Sequence, residues 1–420
     1  MLQNIKQMHP LKKNLANEDL FKDIANKYGT PCYLYDKDRL VHNLNNLDNA
    51  LKKNFERYHI CYSAKANSNP HLLKLMIDTL PDMGTDCSSP GEVFVSNKVG
   101  IPGSRILYTG NYELISDLQM AYDNHCNINL DDITSIQRLQ KVGIPEIISF
   151  RLNPGFGNGS FAQITTAGLH AKFGIPHENI IDAYKKAQNL GIKRFGLQCM
   201  AGSGNLDEEY FEKVFTLIMD NVQKISMQTG IEFEYISMGG GFGIPYKENE
   251  KPLEINRLFQ RLSKIFYKYF ARDNAPSLWL EPGKYIIADA GYLLTKVVAT
   301  KKSYKNYIGT DAGMETLMRN ALYGAYHKIY KLGMESDDKE VYDFTGQICE
   351  NTDRIATDRL FSNVKEGDLL AVMDTGAYGY SMSHNFNTRP RAAEVLVSKK
   401  DFKLIRKRET LEDIFSNCNV

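Results

Sequence analysis

The chain of 420 residues has no excess of charge of either sign and no long apolar run. Lysine and arginine total 51 against 50 aspartates and glutamates, and the net charge of +1 gives no long-range attraction for nucleic acid or an anionic membrane. No apolar stretch approaches the roughly 20 residues that cross a bilayer, and the amino-terminal stretch lacks the apolar centre of a secretory signal. We therefore predict a cytoplasmic protein that binds neither nucleic acid nor membrane.

The chain is also poor in metal and nucleotide signatures. Its seven cysteines are odd in number, and no two of them form a C-x-x-C pair, which argues against both a disulfide framework and a structural zinc site. Neither G-x-x-x-x-G-K-[ST] nor G-x-G-x-x-G occurs, so a nucleotide-binding interpretation is weak. We therefore expect no metal, and the sequence disfavours a nucleotide cofactor.

What the sequence does contain is an alternation of short β-branched and aromatic runs with longer amphipathic segments. Eight such repeats favour an α/β fold of the (β/α)₈ TIM-barrel type over residues 36–298, although periodicity alone leaves an open doubly wound sheet possible. The predicted strands lie near residues 58–63, 82–87, 105–109, 126–130, 147–152, 194–199, 233–238 and 277–281.

Beyond about residue 298 the pattern changes to strand-like pieces separated by turns. This texture predicts a second, carboxy-terminal β domain over residues 299–420. The early stretch PCYLYDKDRL is also strand-like and precedes the eight counted strands, so we expect residues 1–35 to belong to the same β domain.

One lysine stands at a position where chemistry can be assembled. Lys65 ends the first predicted strand, and in a barrel the carboxyl ends of all strands meet at one mouth. Two glycine-rich loops, 201–205 and 239–243, and the carboxylate of Glu281 should reach the same mouth. A lysine amine that binds an aldehyde, glycine loops that hold a phosphate and an acid that keeps a ring nitrogen protonated together suggest pyridoxal phosphate.

Longer motifs resemble those of the diaminopimelate decarboxylases, within the fold type III decarboxylases that depend on pyridoxal 5'-phosphate. The resemblance runs in one order from about residue 20 to 400. Its motifs are YSAKAN (62–67), DCSSPGE (86–92), KFGI (172–175), AGSG (201–204), GGGFGIPY (239–246), EPGKY (281–285), DAGMETLMRNALYGAYH (311–327), CENTD (349–353) and DTGAYGYSMSHNFNTRPRAAEVL (374–396).

The resemblance implies a role for each matching position. Lys65 would carry the cofactor, Glu281 would pair with its ring nitrogen, and Cys349 would return a proton to the substrate carbon. The cofactor-binding set is Lys65, Asp86, Met200, Ser203, Gly204, Gly240, Gly241, Glu281, Gly283, Lys284 and Tyr378, where Asp86 either orients the lysine or closes a turn. The substrate-binding set is Arg151, Lys284, Arg319, Tyr323, Glu350 and Tyr378, with Arg319 suited to a distal carboxylate.

The implied activity is decarboxylation of meso-diaminopimelate to L-lysine by a homodimer, in which Cys349 and Glu350 reach the active site of the other subunit. Three departures from the family pattern concern the substrate more than the cofactor: Met200 replaces a histidine, Lys284 an arginine and Asn320 a proline. The alternatives are a related decarboxylase of another amino acid or a conjugate, such as a polyamine or siderophore precursor, a non-catalytic regulator that binds the cofactor, and a racemase.

Overall fold

The computed structural model describes residues 18–159, 166–333, 337–399 and 401–419. The chain divides into two compact units. One comprises Val41–Pro245 and Lys251–Ile286, and the other comprises Tyr246–Glu250, Ile287–Val420 and the described part of Met1–Leu40. The predicted domain limits, 36–298 and 1–35 with 299–420, stay predictions, and residues 1–17 lie outside the described ranges.

The first unit is a closed barrel of eight parallel strands, which confirms the predicted TIM-type fold. Each of the first seven strands pairs in parallel with the strand that follows it in the barrel. The eighth strand pairs with the first through Leu278 and Tyr58, and this closing pair excludes the open sheet. The barrel strands are Tyr58–Ser63, Gly84–Cys87, Ile106–Thr109, Asn127–Leu130, Ile147–Asn153, Arg194–Cys199, Phe233–Ser237 and Ser277–Leu280.

Helices join successive barrel strands, and their ends follow ordinary capping rules. Asn69 accepts a hydrogen bond from the His71 amide ahead of Pro70, and Gly230 ends the longest helix in a left-handed conformation. The helices, taken with the one that precedes the first strand, are Lys37–Asn54, Pro70–Thr79, Pro90–Lys98, Ile115–Asp123, Ser135–Leu139, Ile180–Asn189, Glu208–Thr229, Ile255–Tyr269 and Lys284–Ile287. Short extra strands are Asn158–Gly159, Ile175–Pro176 and Gly202–Ser203.

The second unit is built on a mixed sheet. Its strand Cys32–Asp36 is fully buried and pairs antiparallel with Gly291–Lys302 and parallel with Ala393–Ser398. The remaining strands are Asn306–Thr310, Ile329–Lys331, Lys339–Thr345, Arg354–Ser362, Leu369–Val372 and Asp401–Arg406, and the helices are Glu18–Tyr28, Arg319–Tyr323 and Leu411–Phe415. The early strand therefore completes a sheet made mostly from the end of the chain.

Among the described residues, no helix combines the length and the apolar character needed to cross a bilayer.

Candidate active site

Lys65 lies in the single turn Ala64–Ala66 that follows the first barrel strand. Its Nζ contacts Oδ2 of Asp86, which lies in the second strand and is 1% exposed, whereas the Lys65 side chain is 39% exposed. Ser63 Oγ lies 3.0 Å from the same Asp86 oxygen. Within the described ranges Asp86 Oδ1 is buried without a hydrogen-bond partner. The strand end thus holds an accessible amine against a buried carboxylate, and one oxygen of that carboxylate can accept a further hydrogen bond.

Glu281 follows the eighth strand and is almost wholly buried. Gln198 Nε2 donates to Glu281 Oε2 at 2.9 Å, and Ser237 Oγ donates to Oε1. Burial raises the pKa of Glu281 above its ordinary value, and the Asp86 carboxylate raises it further. Both hydrogen-bonding partners are neutral, so a cationic N–H would supply the countercharge that this carboxylate needs.

The two glycine loops, 201–205 after the sixth strand and 239–243 after the seventh, are bonded to each other. The Asn205 amide donates to the Gly241 carbonyl at 2.8 Å. Gly241 has a φ of +89°, and a Cβ built there would lie 2.6 Å from the Gly202 carbonyl oxygen. Only glycine permits this approach, and the result is a paired backbone surface of the kind that holds phosphate.

The other predicted cradle residues extend this surface within the barrel unit. A Cβ on Gly240 would lie 2.2 Å from the Glu281 carbonyl oxygen, so this loop is also pressed against the eighth-strand end. Ser203 and Gly204 are partly exposed. Gly283 precedes the short helix that begins at Lys284, whose side chain is buried. Amine, carboxylate and glycine surface together fit pyridoxal phosphate.

Met200 lies against the seventh-strand loop. Its Sδ accepts a hydrogen bond from the Gly240 amide at 3.1 Å, and its carbonyl accepts one from Thr166 Oγ1 at 2.9 Å. The thioether therefore contacts the glycine surface directly, and its expected contact with the cofactor ring stays a prediction.

Arg151 is buried at the end of the fifth strand. Its Nη2 donates to the Thr166 carbonyl at 3.2 Å, Nη1 lies 3.7 Å from Asp131 Oδ1, and the guanidinium lies 4.5 Å from the centre of the Phe173 ring. These contacts give Arg151 a packing role in the barrel, and its assignment to the substrate stays a prediction.

Arg319 begins a short helix of the second unit and is 2% exposed. Its Nη1 lies 3.1 Å from Tyr246 Oη and 3.0 Å from His327 Nε2. Tyr323 ends the same helix and is partly exposed. A buried guanidinium without a carboxylate partner among the described residues is a candidate site for an anionic group.

Cys349 and Glu350 lie in the loop of a hairpin whose strands are Lys339–Thr345 and Arg354–Ser362. Both residues are exposed in the single chain. The Cys349 amide donates to Asn387 Oδ1 at 2.7 Å, which fixes the backbone at this position and leaves the thiol at the surface.

The buried Asp353 holds the same loop in place. Its Oδ1 accepts from the Met314 amide at 2.7 Å, and its Oδ2 accepts from the Ile348 amide at 2.9 Å. One carboxylate thus ties the CENTD loop to the segment that begins with DAGM.

Tyr378 lies in a strained turn of the second unit. Its φ is +58° and that of Asp374 is +59°, a backbone region that residues other than glycine rarely adopt. The Thr375 amide donates to the Gly291 carbonyl at 2.9 Å, which holds the turn. Such strain is common at functional turns.

Sequence reasoning did not select Gln198, Ser237 or Tyr246, and it set His327 aside as structural. The first two are polar residues in the last two positions of barrel strands, and this position was the available signal. Tyr246 contacts Arg319, 73 positions away, and His327 contacts the Met373 carbonyl, 46 positions away, so no local pattern indicates these contacts.

A family model described as "Pyridoxal-dependent decarboxylase, pyridoxal binding domain" matches residues 41–288. The chain belongs to the pyridoxal-dependent decarboxylases. This confirms the family predicted from the motifs, and the cofactor is pyridoxal 5'-phosphate. The chain is 38% identical over 402 residues to the diaminopimelate decarboxylase of Methanothermobacter thermautotrophicus, covering 95% of this chain and 94% of that one.

Two further proteins are similar to this decarboxylase over nearly its whole length. It is 32% identical over 410 residues to Protein TabA of Pseudomonas amygdali pv. tabaci, covering 96% and 95% of the two chains. The crystal structure of Helicobacter pylori diaminopimelate decarboxylase complexed with L-lysine is 28% identical, has a TM-score of 0.86 and covers 94% of this chain and 98% of its own.

Proposed function

We propose that this decarboxylase converts meso-diaminopimelate to L-lysine and carbon dioxide. The observation that carries the chemistry is the amine of Lys65 held at a barrel strand end by Asp86, with the buried Glu281 directly after the neighbouring strand. The full-length similarity to a diaminopimelate decarboxylase supports the substrate.

The barrel residues would bind the cofactor. Pyridoxal phosphate, when bound, supplies a sink for the electron pair that remains on the substrate carbon as carbon dioxide leaves. Lys65 would bond to its aldehyde carbon, while Asp86 accepts a hydrogen bond from Nζ and orients it. Glu281, held by Gln198 and Ser237, would keep a proton on the ring nitrogen.

The glycine surface would hold the phosphate through backbone N–H groups. In this proposal Ser203, Gly204, Gly240, Gly241 and Gly283 form the cradle. Lys284 and Tyr378 would add polar contacts to it, and Met200 would cover a face of the ring.

The second unit would supply proton and substrate contacts. We propose that Cys349 protonates the carbon that loses its carboxylate and that Glu350 contacts the substrate, both in the active site of a second subunit. The exposed thiol on its hairpin supports a partner subunit as the destination. Homodimer formation is thus part of the proposal, and the cytoplasmic location stays a prediction.

Substrate choice would depend on Arg319. Its planar guanidinium can bind the carboxylate at the non-reacting end of diaminopimelate through two hydrogen bonds, with Tyr323 beside it on the same helix. A substrate whose far end carries an ammonium group and no carboxylate would lack this contact and would be disfavoured.

The test is a substrate panel. Purified protein loaded with pyridoxal phosphate is incubated with meso-diaminopimelate, L-lysine, L-ornithine and L-arginine, and amine products are identified by mass spectrometry. We expect L-lysine from diaminopimelate and no amine from the others. Lys65→Met is the control, since thioether cannot bond to the aldehyde.

Other results would identify the alternatives. The presence of Met200 and Lys284 favours a related decarboxylase as the second candidate, and an amine released only from another acid or conjugate would establish it. Cofactor absorbance without any product would indicate a regulator. Recovery of racemised substrate would indicate a racemase.

A further inference from the structure

His327 is fully buried, and its two ring nitrogens have different partners. Nδ1 lies 2.7 Å from the Met373 carbonyl oxygen, and Nε2 lies 3.0 Å from Nη1 of Arg319. A carbonyl only accepts and a guanidinium only donates, so Nδ1 carries the proton and Nε2 accepts. The imidazole is therefore held neutral in a single tautomer, with its lone pair directed at Arg319.

Tyr246 contacts the same guanidinium nitrogen. Its Oη accepts from Arg319 Nη1 at 3.1 Å, and its ring stands nearly perpendicular to that of His327, at 86° with 5.5 Å between centres. Among the described residues both hydrogen-bond partners of Arg319 thus meet Nη1. The N–H groups of Nε and Nη2, on the other edge of the guanidinium, are spaced so that they can donate to the two oxygens of one carboxylate.

We infer that His327 is a positioning residue, which fixes the rotation of Arg319 so that the Nε–Nη2 edge is presented to the distal carboxylate of the substrate. This inference rests on the proposed function. Because the histidine would act through the arginine, its removal should weaken the binding of ligands that carry that carboxylate and leave other ligands unaffected. A histidine that only fills space would not discriminate in this way.

Two ligands isolate the carboxylate. L-Lysine and 1,5-diaminopentane differ by one carboxylate, which in L-lysine corresponds to the non-reacting end of diaminopimelate. Calorimetric titration of the holoenzyme gives a dissociation constant for each, and steady-state kinetics give KM and kcat for diaminopimelate.

Two substitutions distinguish the contributions of the two ring nitrogens. The amide of His327→Asn can still donate to the Met373 carbonyl but does not reach Arg319, whereas the carbonyl of His327→Gln reaches the position of Nε2. We expect His327→Asn to raise the dissociation constant of L-lysine and the KM for diaminopimelate about tenfold, with little change in kcat. Binding of 1,5-diaminopentane should not change, and His327→Gln should recover most of the loss.

Equal weakening of both ligands by His327→Asn, or no recovery with His327→Gln, would overturn the inference in favour of a packing role. Arg319→Lys separates this failure from failure of the proposed function. If that variant binds L-lysine as the wild type does, Arg319 is not the carboxylate contact, and both the substrate assignment and the inference fail. If it weakens L-lysine binding while His327→Asn does not, only the inference fails.

Discussion

The two units hold their candidate residues in different ways. In the barrel, Lys65 and Glu281 stand at strand ends and are fixed by side-chain contacts with Asp86, Gln198 and Ser237. In the second unit, Cys349 lies on an exposed hairpin loop that is held through its backbone amides. In the proposed roles, the groups that would set the cofactor's electronics lie in a rigid frame, whereas the group that would deliver a proton is accessible at the surface.

The largest effect is expected at the amine. Lys65→Met should lower kcat by about a thousandfold or more, because a thioether cannot bond to the aldehyde. Borohydride reduction in the presence of pyridoxal phosphate, followed by peptide mass spectrometry, should label Lys65 in the wild type and nothing in the variant. Labelling of another lysine in the wild type would remove the basis of the proposed site.

The ring-nitrogen partner should come next. Glu281→Gln keeps the shape and one accepting oxygen but cannot hold a proton on a pyridine nitrogen, so kcat should fall about 100- to 1,000-fold. Lys65 should still be labelled by borohydride, which separates loss of chemistry from loss of binding. An unchanged kcat would assign the role of Glu281 to packing.

The exposed thiols offer a matched pair in the second unit. Cys349→Ser should lower kcat about 100-fold, because a hydroxyl is a weaker acid than a thiol. Cys418→Ser, which also changes an exposed cysteine, should have no effect. Equal rates for the two variants would contradict the proton-donor role.

Mixing inactive variants tests the subunit to which that thiol belongs. If each active site combines Lys65 of one subunit with Cys349 of another, co-refolding Lys65→Met with Cys349→Ser gives mixed dimers with one intact site. Activity should then recover to about a quarter of the wild-type value. Failure to recover would place both residues in the same chain's site.

A smaller effect is expected where the hairpin loop is tied down. Asp353→Asn retains one strong acceptor for two backbone amides, so the free energy of unfolding should fall by about 2–3 kcal/mol. Glu350→Gln, on the exposed part of the loop, should change it by less than about 0.5 kcal/mol. Denaturant unfolding measures both, and similar values would show that Asp353 does not anchor the loop.

The smallest effect is a pH dependence in the barrel. Burial and Asp86 raise the pKa of Glu281 from 4.5 to about 7 in the cofactor-free protein. The folded state therefore holds this proton more tightly than the unfolded state, and the resulting stability is complete below pH 4.5 and is lost as the pH rises through about 7. Glu281→Gln has no such titration. Between about pH 5 and about pH 8 its free energy of unfolding should therefore rise by about 1–2 kcal/mol relative to that of the wild type. Denaturant unfolding at a series of pH values measures this difference. If the free energies of unfolding of the two proteins changed with pH in parallel, the raised pKa of Glu281 would be contradicted.

The barrel followed from the sequence because its alternation of short apolar runs and amphipathic helices is local information. The run at 194–199 matches its strand, whereas the run at 82–87 forms a strand only over Gly84–Cys87, since Pro81 and Asp82 form a turn. Strand Arg354–Ser362 was not predicted, because charged and exposed positions interrupt its apolar pattern.

Residues with distant partners were the harder part of the site. Lys65 and Glu281 were selected because strand ends and family motifs mark them. Gln198 donates a hydrogen bond to a carboxylate 83 positions away. His327 contacts the Met373 carbonyl through one ring nitrogen and a residue of a neighbouring helix through the other. Such pairings depend on the folded chain, so single-sequence patterns do not contain them.

The segment Tyr246–Glu250 interrupts the barrel sequence yet belongs with the sheet, where Tyr246 meets Arg319. A gene fragment cut to the family match, 41–288, would carry this segment without its partners and expose a tyrosine that the whole protein partly covers. Expression of the barrel alone would therefore call for redesign of these five positions, and the whole chain is the sounder unit for recombinant work.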